Sequence, residues 1–328
     1  MRSFSFGLVL VVLPAFALSL MLAGCGGGKD TGPAATGGGG GAGGEVTKET
    51  PSGPAKVLEP KGGVLKGSIT LASRPDVKKL TEELQKKIAT EKPDQKDNCM
   101  KGEPGETTEQ AYRIGANGKL GNVFVWIKPV EGTFFKVDEK ALKEAKENPV
   151  KIRQPHCAFI PHTAIVWAEY HPDPQKPSTK KPTGQFIEVV NDSTFTSHNT
   201  KYEAGTKNPS GNETIPTGGK MKIENLKEDS KAMTLNCNIH TWMDAYIRLV
   251  DTPYYTISYS DTLDGANKVK EDDPKFGTYE IKNLPIGKVR VIAWHERCGY
   301  LNKGGGQGEE IEIVDGKPTE KNFEAKPQ

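Results

Sequence analysis

Beyond residue 60 the chain consists of short apolar runs separated by turn residues. That pattern leaves room for little besides packed β-strands. Residues 64–71, 121–127, 163–168, 185–190, 220–223, 233–237 and 245–250 are runs of this kind, and a later group follows at 254–258, 278–281, 288–294 and 310–314. Ala245, Ile247 and Leu249 alternate with Tyr246 and Arg248, the period-two pattern of a strand with one buried face. The turns draw on 37 Gly and 23 Pro, a content that weighs against a helical bundle. Residues 283–287 read as a turn between two strands, and 171–184 as an exposed loop. Two helices stand out. Residues 77–89 carry Leu80, Leu84 and Ile88 at i, i+4 and i+8, and residues 140–147 form a short charged segment. The expected fold class is therefore all-β, with a few short helices.

The first sixty residues belong to a different kind of chain. Met1-Arg2 opens it with a positive charge, residues 4–23 are almost wholly apolar, and Leu22-Ala23-Gly24-Cys25 follows. An apolar core ending in small residues is an export signal. The last four residues resemble a bacterial lipobox, which implies that Cys25 becomes a lipidated N-terminus. An ordinary secretory signal, or an uncleaved anchor, is the competing reading. Gly26 rather than Asp follows the cysteine, so the resemblance carries no signal for inner-membrane retention. Residues 26–60 are rich in Gly, Thr, Pro, Ala and Lys and cannot build a core. As a flexible tether of ~35 residues they would hold a folded body roughly 30 Å from the lipid. The charge balance, 44 Lys+Arg against 42 Asp+Glu, argues against a nucleic-acid partner.

One constellation carries chemistry. Cys237-Asn238-Ile239-His240-Thr241-Trp242-Met243 is preceded by His198-Asn199. A thiolate, two imidazoles and a thioether are soft and borderline donors that suit copper in a trigonal site with a weak axial Met. Cys237 ends one strand, Met243 begins the next and His240 lies on the loop between them, so three donors can aim at one point. His198 arrives from another strand, which a sandwich allows. This spacing resembles the type 1 (blue) copper site of the cupredoxins, in the short amicyanin-like loop form.

The resemblance implies a Greek-key β-sandwich in which His198, Cys237 and His240 are equatorial ligands of one copper and Met243 is axial. It also implies that Asn199 stiffens the site by hydrogen bonding around the thiolate. Residues 157–162 and Asn191-Asp192 further resemble exported proteins of the methylamine-utilisation and plastocyanin-like kind. Residues 276–287 resemble the carboxypeptidase regulatory-like β-sandwich that accompanies them. The likeness spans residues 61–300, and the Pro-rich stretch 171–184 departs from it. A c-type haem would need Cys-x-x-Cys-His, which is absent, and a structural zinc site would favour more paired Cys or His. Plain packing of a buried Cys and Met is the remaining alternative.

An exported chain is in an oxidising compartment, so the other cysteines invite a disulfide. Cys99, Cys157 and Cys298 allow three pairings. Cys99–Cys157 is favoured because both lie in polar, irregular stretches before the copper region. A bridge involving Cys298 and three free thiols are the alternatives. Trp242, beside His240, would offer an apolar docking patch to a redox partner if exposed, or a core aromatic if not. His162 reads as an edge histidine, His156 and His171 as solvated, and Trp294-His295-Glu296 as structural.

These readings combine into an expected division. Residues 1–24 are a lipoprotein signal and 25–60 a tether. Residues 61–150 form an N-terminal β-rich region with short helices, 151–252 the cupredoxin-like copper domain, and 253–328 a carboxypeptidase regulatory-like β region. The expected protein is an exported electron carrier, not an enzyme. It would be tethered on the periplasmic side of the envelope, most simply at the outer membrane, and meet an unidentified redox protein. A copper-binding or structural envelope module is the alternative, and an accessory to a carbohydrate-active enzyme a more distant one.

Overall fold

A computed structural model describes residues 54–328. The expected signal, Cys25 and most of the tether lie outside the described residues. Among those residues the chain is mostly β-strand with few helices, and no helix is long and apolar enough to cross a membrane.

Residues 150–250 form a two-sheet sandwich. One sheet has five strands, ordered Gly211–Ile215, His198–Glu203, Met233–Asn236, Asp244–Val250 and Thr163–Trp167. The last pair is parallel and the others antiparallel. The facing sheet runs Lys220–Ile223, Ile187–Val190 and Val150–Arg153. Ile152, Val189, Ile223, Val166, Leu235 and Ile247 meet between the sheets, all fully or nearly fully buried. Burying each such side chain is worth about 1.5–3 kcal/mol.

Both flanking segments build a second sandwich together. One of its sheets places Phe124–Pro129, from before the first sandwich, between Tyr255–Ile257 and Gly287–His295, from after it. The other places Gly63–Leu71 between Thr278–Leu284 and the C-terminal strands Thr319–Glu320 and Phe323–Ala325. The regions 61–150 and 253–328, read from sequence as two, share every sheet of this unit. The first sandwich is inserted into it.

The sheet containing Phe124–Pro129 is covered on both faces. Val125 and Ile127 enter the flanking core, while Phe124 and Trp126 pack with Ile165, Val250 and Ile292 between the sandwiches. Double coverage explains the unbroken apolar run 123–127, since neither face meets water. It also changes the reading of Asp244–Val250. The alternation predicted one solvated face, yet Arg248 is only 2% exposed. Its guanidinium lies over Trp126 and Trp294, and it donates to the carbonyls of Ser230 and Asp229.

Other boundaries shift for equally local reasons. Lys56–Leu58, inside the stretch read as tether, pairs with Thr133–Phe135. Residues 283–287 do turn the chain, but they carry it from one sheet of the flanking sandwich to the other. Asn283 adopts φ 56° there and Gly287 φ 113°. Within the expected loop 171–184, Lys181–Pro182 pairs with Glu169–Tyr170.

Helix α1, Val77–Glu91, links the two units. Asp76 caps it by accepting from the Lys79 N–H at 3.0 Å. Its apolar stripe is divided: Val77 and Leu80 pack on the flanking core, Leu84 and Ile88 on the inserted one. The chain then turns through Gln95 into the short helix α2, Lys96–Cys99.

Candidate metal centre

The strands Met233–Asn236 and Asp244–Val250 are antiparallel neighbours, and residues 237–243 close the end between them. The loop is pinned by its own backbone. The Cys237 N–H donates to the Met243 carbonyl at 3.2 Å, and the Met243 N–H to the His240 carbonyl at 2.9 Å. His198 opens the strand on the other side of Met233–Asn236. Adjacency in one sheet thus brings residues 39 and 42 positions apart to one spot.

The donor atoms converge. Cys237 Sγ lies 4.0 Å from His198 Nδ1 and 3.9 Å from His240 Nδ1, and the two Nδ1 atoms are 3.1 Å apart. Two ligand atoms bound at ~2.0–2.3 Å to one metal at tetrahedral or trigonal angles lie roughly 3.3–3.8 Å apart. The triad is close to that spacing. His198, Cys237 and His240 are all buried, and Met243 is buried at the end of the same loop. His198 Nε2 is buried without a hydrogen-bond partner. Burial lowers the pKa of both imidazoles to about 4, with the neighbouring His198 adding to the effect on His240. Both rings are therefore neutral near pH 7, the form that binds metal. Donor set, spacing and protonation fit one soft, thiolate-preferring ion.

Asn199 organises the loop from the neighbouring strand. Its Oδ1 accepts from the Asn238 N–H at 2.6 Å and the Ile239 N–H at 3.2 Å, with Cys237 Sγ 3.3 Å away. Its Nδ2 donates to Asn212 Oδ1. Cys99 and Cys157 are bonded to each other, and Cys298 is a buried free thiol. The bridged sulfurs lie within 4.8 Å of a His240 ring nitrogen. Being joined, they are not thiolate donors.

Trp242 is half-buried. Its indole N–H donates to the Cys157 carbonyl at 3.0 Å, and its ring meets His240 edge-on at 5.3 Å between centroids. The remainder faces a cleft of about 340 Å³ shared with Leu84, Lys87, Asp244 and Arg297.

Two features had no sequence signal. The first is a cover over His240. Gln95 Oε1 lies 2.7 Å from His240 Nε2, Thr241 Oγ1 donates to Glu91, and Lys87 donates to the Thr241 carbonyl. The second is a buried ion pair. His162, read as an edge histidine, is 1% exposed and meets the equally buried Glu296 of the flanking unit at 2.5 Å. Its Nδ1 faces the Asp244 carbonyl, one residue past Met243. Burial alone would lower the His162 pKa. The Glu296 carboxylate overrides it and raises that pKa to about 9. The same pairing lowers Glu296 against the opposing effect of burial. His156 and His171, expected in solvent, pair with Glu106 and Asp251.

No family model matches the chain, and no curated protein matches it. Solved structures do resemble parts of it. A Cu-containing nitrite reductase (NirK) from Thermus scotoductus aligns with 16% identity and a TM-score of 0.25, covering 32% of this chain and 23% of that one. A purple cupredoxin from Nitrosopumilus maritimus aligns with 12% identity and a TM-score of 0.23, covering 31% of this chain and 99% of that one. The alignment thus spans about a quarter of the nitrite reductase and nearly all of the cupredoxin.

Proposed function

We propose that this protein holds one copper ion through His198, Cys237, His240 and Met243 and passes single electrons to and from a redox protein. The convergence of a buried thiol and two neutral imidazoles, two of the three on a loop pinned by its own backbone and His198 on the neighbouring strand, carries this reading. A bound copper would supply a one-electron couple. The chain's part is to keep the donors in one arrangement in both oxidation states, so that little reorganisation opposes transfer. Asn199 serves this by fixing the backbone at Asn238 and Ile239. Trp242 and the cleft beside it are the proposed docking region. Export and tethering through a lipid on Cys25 complete the proposal and rest on the N-terminal sequence alone.

The visible spectrum of the mature protein loaded with Cu(II) is the test. An intense thiolate-to-copper band is expected, and Cys237→Ser should abolish it. A colourless loaded protein would sink the proposal. The complete burial of His240 beneath Gln95 favours a second reading, in which copper is held without rapid exchange of electrons. Voltammetry separates the two, since a carrier gives a fast, reversible wave.

A further inference from the structure

His240 presents its two ring nitrogens to different surroundings. Nδ1 faces the donor cluster, 3.9 Å from Cys237 Sγ and 3.1 Å from His198 Nδ1. Nε2 faces the amide oxygen of Gln95 at 2.7 Å. An amide oxygen only accepts, so this contact calls for the proton on Nε2 and leaves the lone pair on Nδ1. We infer that Gln95 is a positioning residue for the metal centre: it sets the tautomer and the ring orientation of His240 from outside the loop. The inference rests on the copper reading of the cluster.

Gln95 can act in this way because its backbone is held. Its N–H donates to the Lys92 carbonyl, and its own carbonyl accepts from the Asn98 and Cys99 N–H groups, each at 3.0 Å. Upstream, Ile88 anchors α1 in the inserted core. Downstream, Cys99 is bonded to Cys157. Glu91 and Lys87 grip Thr241, the residue after the histidine. The half-buried Gln95 side chain is thus aimed at one nitrogen from a segment fixed at both ends. Acceptors on the far nitrogen of a ligating histidine orient the ring and raise its basicity, and losing one typically costs 10–100-fold in metal affinity.

The test compares Gln95→Leu, which keeps bulk and removes the acceptor, with Gln95→Glu, which keeps an acceptor. Nitrogen-15 NMR of the metal-free protein reads the tautomer directly. His240 should carry its proton on Nε2 in the parent and in Gln95→Glu, and populate both tautomers in Gln95→Leu. Copper affinity, by competition with a chelator, should fall about 10–100-fold in Gln95→Leu and recover in Gln95→Glu. Thermal unfolding of the metal-free variants separates lost packing from lost positioning. A proton on Nδ1 in the parent would overturn the inference, as would a Gln95→Leu affinity within twofold of the parent. Should the parent bind no copper, the copper reading falls, and the tautomer in the metal-free variants alone decides the role of Gln95.

Discussion

Two of the places where histidine is buried have neighbours that give them opposite chemistry. His198 and His240 sit beside a thiol and an amide, with no carboxylate hydrogen-bonded to either ring, and burial keeps them neutral. His162 is as deeply buried, but Glu296 lies against it and holds it charged. The first pair keeps lone pairs free for a metal. The second has used its charge to join the inserted sandwich to the flanking one. Depth of burial does not decide what a buried histidine does; the group within hydrogen-bond distance does.

Removing His162 should break this contrast most severely. His162→Ala leaves the Glu296 carboxylate buried and uncompensated, at a cost of about 3–5 kcal/mol in unfolding free energy by denaturant titration. The donor triad has no part in that pair, so the copper band of the folded fraction is expected to persist.

The next largest effect is one of pH. His162 has a folded pKa of about 9 against an ordinary 6.5. Its contribution is fully present below about pH 6.5 and is lost as pH rises through 9, on the order of 3 kcal/mol. Glu296, lowered from 4.5, works in the other direction, contributing above that value and losing its contribution as pH falls. The melting temperature should therefore fall from pH 7 to pH 10, and this fall should be absent in His162→Ala.

Copper sharpens the other side. A hundredfold excess of free Cu(II) over its dissociation constant should stabilise the parent by about 2.7 kcal/mol. Differential scanning calorimetry should show the same increment in His162→Ala and none in Cys237→Ser. The smallest effect belongs to Asn199→Ala, which strips the loop amides of their acceptor. About 1–3 kcal/mol of stability should go, and the copper band should survive with altered position or intensity.

Much of this was legible in the sequence where local pattern decides. The period of Asp244–Val250, the stripe of α1 and the spacing of Cys237, His240 and Met243 are each written in one short stretch, with His198-Asn199 as a second short signal upstream. What escaped depends on which surfaces meet. Arg248 reads as a solvent-facing residue because nothing near it in the chain announces the Trp126 and Trp294 rings above it. Glu296 is a carboxylate at a strand end until the inserted unit brings His162 to it, 134 positions away in sequence. Gln95 belongs to no motif, and only the fold carries it across 145 residues to His240. The two outer segments look independent because each has its own run of strands. Their register, with Gly63–Leu71 beside Phe323–Ala325, is set by pairings no short window contains.

That last pairing also fixes an order of events. The strand Gly63–Leu71 takes partners from Thr319–Glu320 and Phe323–Ala325, so the flanking sandwich closes only once that distant segment is present. The inserted sandwich has its own strands by Val250 and is free to form earlier. Pairings of such long sequence separation form slowly, because chain entropy opposes them until the ends meet. A chain truncated before Phe323 therefore keeps His198, Cys237, His240 and Met243 but lacks a strand that closes the outer sandwich.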